Sequence, residues 1–126
     1  MKINRKLNLT RLIVRKNKVE IVICSAIWYK DLPLVKNNIP KSLIYPKNVD
    51  RGLVFCGHRH PHCQYSMIAI TGKRSVTVEV GEYIQGFLTN FNRFVDREEG
   101  AKIALASGQI EKLNYSSNEL YSEDLY

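Results

Sequence analysis

Between Cys56 and Cys63 the chain reads "CGHRHPHC", eight residues that hold all three histidines of the protein, two of its three cysteines and an arginine. Three chemistries draw on such side chains. A structural zinc site brings ligand pairs from separated segments, whereas every candidate here lies in one segment that Pro61 interrupts. No native metal site is expected. Catalysis would use His58 and His60 as general acid and base on a phosphodiester, with Arg59 or a lysine on the phosphate, because imidazole titrates near neutrality. Such a centre needs a nucleophile, an activated cysteine or a carboxylate cluster beside it, and no Asp or Glu lies between Arg51 and Glu79. The expectation is a protein that is not an enzyme, with a histidine phosphodiesterase as the alternative. The third chemistry is anion binding. With His60 at or near an N-cap and Pro61 opening a helix, Gly57, His58 and Arg59 lie where free N–H groups and the positive end of the helix dipole point. Arg59 would then grip a phosphate in bidentate fashion, and the imidazoles would stack or donate. Arg59 and His60 are expected at the ligand, Cys56 and Cys63 in the core.

A second constellation runs from Gly86 to Gln109, "GFLTNFNRFVDREEGAKIALASGQ". Asn90 and Asn92 can read a base or ribose edge, Phe87, Phe91 or Phe94 can stack on a ring, and Arg93 or Arg97 can pair a phosphate. These side chains need a scaffold. "QGFLTNFNRFV" reads as a hairpin with "NFN" as its turn. Asp96 can cap the following helix, with Glu99 three residues on, and Gly108 ends it. A second helix is expected over His60–Ala69, with Pro61 in its first turn. Short β-branched runs predict strands at Arg11–Arg15 and Val19–Tyr29, joined by a turn at Lys16–Lys18, and at Gly52–Cys56 as a buried strand. "SVTVEV" (Ser75–Val80) alternates and predicts another strand. Between Lys30 and Asp50 three prolines and scattered Lys and Asn dissolve any period, and so long an irregular crossing is often functional. The fold class is α+β: an antiparallel sheet with two helices packed on one side.

At 126 residues the chain is expected to form one domain spanning 1–126. Its longest apolar run is too short for a membrane span, and three cysteines in no framework spacing read as reduced thiols. A soluble, intracellular protein is expected. Charge is uneven: residues 1–51 carry 12 Lys and Arg against 3 Asp and Glu, a balance of +9, while residues 52–126 carry 7 against 9, a balance of −2. A basic first half favours anionic partners, and a nucleic-acid-binding module is the third reading. The small-residue face of Gly100, Ala101 and Ala104 and the apolar residues of "ELYSEDLY" predict a homo-oligomer, a dimer or a multiple of one, because Leu120, Tyr121, Leu125 and Tyr126 need cover.

The order of "VICSAIWY", "GHRH", the Gly86–Gln109 stretch and the terminal "LYSEDLY" resembles the phage-encoded Thoeris anti-defence proteins of the first type. That resemblance implies a sponge in the host bacterial cytoplasm, one that sequesters glycocyclic ADP-ribose made by TIR-domain enzymes without cleaving it and needs no cofactor. Some members of that family also take up cyclic oligonucleotides, and they assemble as dimers and higher oligomers. "GHRH" and "TNFNRF" are similar to the family's ligand-facing segments. Taken with the reading of the residues, the expected ligand set is His58, Arg59, His60, Phe87, Thr89, Asn90, Phe91, Asn92 and Arg93, and Arg59 and Asn92 would supply a charge and a directional amide to the same ligand if both face one pocket.

Overall fold

The computed structural model describes residues 19–34 and 39–126. The expected strand at Arg11–Arg15 and its turn lie outside them. Strands β1 (Val22–Tyr29), β2 (Leu53–Gly57), β3 (Tyr83–Thr89) and β4 (Phe94–Asp96) form one antiparallel sheet in the order β2-β1-β3-β4. Helices α1 (His60–Thr71) and α3 (Arg97–Ser107) are joined by two single turns, α2 (Thr77–Val80) and α4 (Ser122–Leu125). The α+β class holds. Among the described residues no helix is long and apolar enough to cross a membrane.

Register explains which face the helices choose. Ser25, Ile27 and Tyr29 of β1 stand opposite Phe87, Gln85 and Tyr83 of β3 and opposite Gly57, Phe55 and Leu53 of β2, so these side chains share one face. There α1 lays Cys63 and Met67 against Ile27 and Tyr29, while α3 lays Ala101, Ile103 and Ala104 against Phe87 and Val95. A bulge between Val22 and Cys24 turns Val22 toward the α3 side, and the Gln109 amide closes both of its main-chain groups, accepting from Val22 N at 2.7 Å and donating to Val22 O at 2.8 Å. Both helices therefore lie on the same side. The opposite face, with Ala26, Trp28, Val54, Ile84, Leu88 and Phe94, is covered by Ile44, Tyr45 and Val49 of the irregular crossing. That crossing contains a 3-10 turn at Lys41–Leu43 and is pinned by Asn48, whose amide exchanges hydrogen bonds with Phe94 N (2.8 Å) and Phe94 O (2.7 Å).

The local signals for the hairpin and both helices hold. Asp96 Oδ1 accepts from Glu99 N at 2.8 Å, Gly108 ends α3 at φ 80°, and α1 starts with Pro61 in its first turn. Three expectations do not. "SVTVEV" contributes the helical turn α2 rather than a strand: the Glu79 carboxylate accepts from Arg74 N at 3.0 Å and pairs the Arg74 guanidinium, which closes the segment on itself. Only Val80 reaches the core, and Val78 is exposed, so the alternation has no sheet to bury against. "GLVFC" is an edge strand with half-buried side chains, and Cys56 is exposed instead of packed, because it points to the face covered only by the crossing.

The third correction concerns the tail. Leu120 is fully buried and Leu125 packs against the same cluster, so they are covered within the chain. The small-residue face of α3 is what receives them: a Cβ on Gly100 would stand 3.0 Å from Phe87 and 3.5 Å from Leu120. Leu120 and Leu125 thus give no ground for an oligomer, whereas Tyr126 stays exposed. Leu120→Ala is expected to lower stability by about 2–5 kcal/mol through the cavity it leaves, read from denaturant melts of the isolated chain. An unchanged melt would return the tail to the surface.

Candidate functional site

The histidine cluster is wired into the fold. His60 is buried where α1 meets β3; its Nε2–H donates to Gly86 O at 2.8 Å, and its Nδ1 accepts from Arg97 at 3.4 Å. Its ring also meets Phe87 edge-on. Burial, with the Arg97 charge adding to it, holds the His60 pKa below its ordinary 6.5. Arg59 is the N-cap residue of α1, and His62 Nδ1 accepts its N–H at 3.1 Å. The Arg59 guanidinium turns to the tail, donating to Ser122 Oγ (3.0 Å) and Tyr126 O (2.6 Å) beside Glu123 at 3.6 Å. His58 is exposed, yet Tyr126 stacks on it at 4.5 Å between centroids and donates its hydroxyl to His58 O. A cleft of about 270 Å³ remains here, lined by Arg59, His60, Gln85, Arg97, Tyr121 and Glu123 among others.

The hairpin turn is equally occupied at its base. Phe87 and Thr89 are fully buried, so neither is placed to face a ligand; Phe87 is core, and Thr89 Oγ1 donates to Glu20 at 2.6 Å. Asn90 takes the Ile21 N–H on Oδ1 and gives its amide to Val19 O, which fastens the turn to the start of β1. Arg93 forks onto Glu20 with two bonds of 2.8 Å and reaches Glu99 at 3.4 Å. The Arg93 hydrogen bond pulls the Glu20 carboxyl below its ordinary value. Phe91 is half-buried with Lys47 Nζ 5.8 Å from its ring centre. Asn92 is exposed, in the left-handed region at φ 56°, where its amide side chain lines a different cleft.

That cleft lies on the sheet face opposite the helices. It measures about 300 Å³ and is lined by Lys41, Ser42, Tyr45, Pro46, Lys47, Val49 and Asn92. A further compartment of about 170 Å³ shares Ser42, Tyr45, Pro46 and Asn92 with it. The two expected ligand segments are therefore not brought together: Arg59 stands over the helix-bearing face and Asn92 over the other, with the sheet between them. The condition that both face one pocket is not met: Arg59 and Asn92 line different clefts. Sequence reasoning did not single out Lys41, Ser42 and Lys47, the cleft residues carried by the irregular crossing that it read as a candidate functional loop.

Residues 21–126 match the family described as Phage T4 y16D protein. The chain belongs to this phage protein family. No curated protein and no solved structure matches the chain.

Two of the three thiols of this phage protein interact across neighbouring strands. Cys24 and Cys56 share a hydrogen bond that brings the Cys24 thiol down to about 7 and pushes Cys56 up, while burial pushes Cys63 up to about 12. Among the described residues no group of three or more His, Cys, Asp or Glu is placed to hold a metal ion.

The depressed His60 pKa sets an acid limb of stability. Below the ordinary value of 6.5 the unfolded chain takes up this proton before the folded one does. The contribution of His60 is thus full above that pH and is lost as the pH falls through the lower folded value. Melting temperature is expected to drop from about pH 7 to about pH 5, and His60→Gln, which keeps a donor for Gly86, is expected to remove much of that drop. Parallel pH profiles of the two proteins would show His60 to be solvated and freely titrating.

Proposed function

We propose that this phage protein is a sponge that binds and sequesters the TIR-derived signal glycocyclic ADP-ribose without cleaving it, and so blocks Thoeris immunity in the host bacterial cytoplasm. The observation that carries the reading is the state of the histidines. His60 has both ring nitrogens engaged by Gly86 O and Arg97, and His62 Nδ1 is taken by the Arg59 N–H. A general acid or base needs a nitrogen free to reach a substrate proton; His60 has none, so the His58 and His60 pair cannot act together, and this wiring supports holding a ligand over reacting with it. The basic first half of the chain supports an anionic ligand, and the sequence resemblance supplies its identity. Membership of a phage protein family agrees with an anti-defence role.

Cyclic oligonucleotides are a second ligand class within the same proposal, and assembly into a dimer or its multiple belongs to it too. The test incubates glycocyclic ADP-ribose with excess protein until no free ligand remains, then heats the mixture and chromatographs the supernatant. Recovery of intact ligand in full is expected. A new product would replace the sponge with the phosphodiesterase reading, and ligand that never leaves solution would remove both.

A further inference from the structure

The clefts among the described residues differ in the sign of charge on their walls. The one beside α3, about 340 Å³, carries Asp96, Glu98 and Glu119 with a single Arg97. The histidine cleft carries Arg59 and Arg97, but Glu123 stands in it and both guanidinium groups already donate to protein acceptors. The cleft under the irregular crossing carries Lys41 and Lys47, and neither of its compartments is lined by a carboxylate. Both lysines are exposed.

We propose that this cleft is the binding site of a nucleoside pyrophosphate, with Lys41, Lys47 and the Asn92 amide on the phosphates and the ring lodged in the adjoining compartment. Four observations carry the assignment. The larger compartment is cationic, with Lys41 and Lys47 beside Ser42 and Asn92 around an apolar lining of Tyr45, Pro46 and Val49. The smaller has an apolar wall of Leu43, Ile44, Val54 and Leu88, a surface suited to the flat face of a base. The compartments adjoin through shared residues, and their volumes of about 300 and 170 Å³ together suit a nucleotide, within the size usual for small-molecule pockets. The walls are also joined before any ligand arrives. Lys47 N donates to Asn92 O at 2.8 Å, which ties the crossing to the hairpin turn, and Asn92 N donates to Thr89 O at 3.0 Å, which holds the left-handed turn. Asn48 clamps the crossing to Phe94 from both sides, so little ordering entropy is left to spend on binding. Lysine suits this role: an ammonium reaches a phosphate as a flexible point charge, whereas the arginines nearby are held in fixed forks.

The assignment rests on the sponge reading for its ligand but not for its location. Calorimetric titrations with glycocyclic ADP-ribose and with ADP separate the two. The double variant K41E/K47E reverses two exposed charges and is expected to fold as the parent does, checked by melting temperature. Its affinity for both probes is expected to fall at least a hundredfold, and the affinity of the parent to weaken as salt is raised. Asn92→Gly keeps the left-handed backbone, removes the amide, and is expected to cost about tenfold. ADP bound in a lysine-dependent way, with no binding of glycocyclic ADP-ribose, would keep the site and sink the sponge. Binding of glycocyclic ADP-ribose that survives in K41E/K47E but is lost in Arg59→Ala would move the ligand to the histidine cleft and overturn the assignment while leaving the sponge. A parent that binds neither probe would end both.

Discussion

One buried imidazole ties four parts of the chain together. His60 opens α1, donates to Gly86 O in β3 and accepts from Arg97 in α3, and Arg97 in turn donates to Leu120 O at 2.9 Å in the tail. Gly86 has no room for anything larger, because a Cβ there would stand 2.0 Å from Val95 O. The imidazole can make these contacts only while neutral, since Nδ1 must accept from a cation. Burial supplies that neutrality, and the contacts supply the burial. A residue type that elsewhere signals acid–base chemistry is here a structural connector, and no buried side-chain polar atom among the described residues lacks a partner.

The same logic sorts the cations. Arg59 holds the tail, Arg93 forks onto Glu20 and Arg97 joins β3, α1 and the tail. Each uses the planar, multi-donor geometry that makes a guanidinium tolerable when partly desolvated. Lys41 and Lys47 stay in water at the rim of a cleft. Charge counted along the sequence is therefore not charge available to a ligand: among the described residues Arg59, Arg93 and Arg97 are spent internally, while Lys41 and Lys47 stay exposed.

The two faces of the sheet divide the remaining work. Helices cover one face with interlocking apolar side chains, Gly100 giving Leu120 and Phe87 room to approach. An irregular segment covers the other, and irregular backbone leaves clefts where a helix would fill space. Tyr45 donates to Gly52 O and Asn48 clamps Phe94, so this cover is held by specific polar contacts in place of periodic packing. A rigid sheet bearing a pinned loop is a common way to build a binding surface.

Features written in neighbouring residues were legible in the sequence by itself. The "NFN" turn, the Asp96 cap, the Gly108 stop and Pro61 at the head of α1 each depend on local φ angles and on hydrogen bonds a few residues long, so the residue types announce them. The antiparallel sheet with both long helices on one face followed from those signals and the strand periods. Only the tertiary structure decided the rest. Val76 and Val78 alternate as a strand would, yet no sheet edge receives them; Cys56 looks like core and faces the thinly covered side. Arg59 and Asn92 look like partners and are parted by the sheet, while Lys41 and Lys47 meet Asn92 across more than forty positions. Burial and cleft membership depend on what packs opposite a side chain, and that partner comes from distant sequence, so no local pattern encodes it.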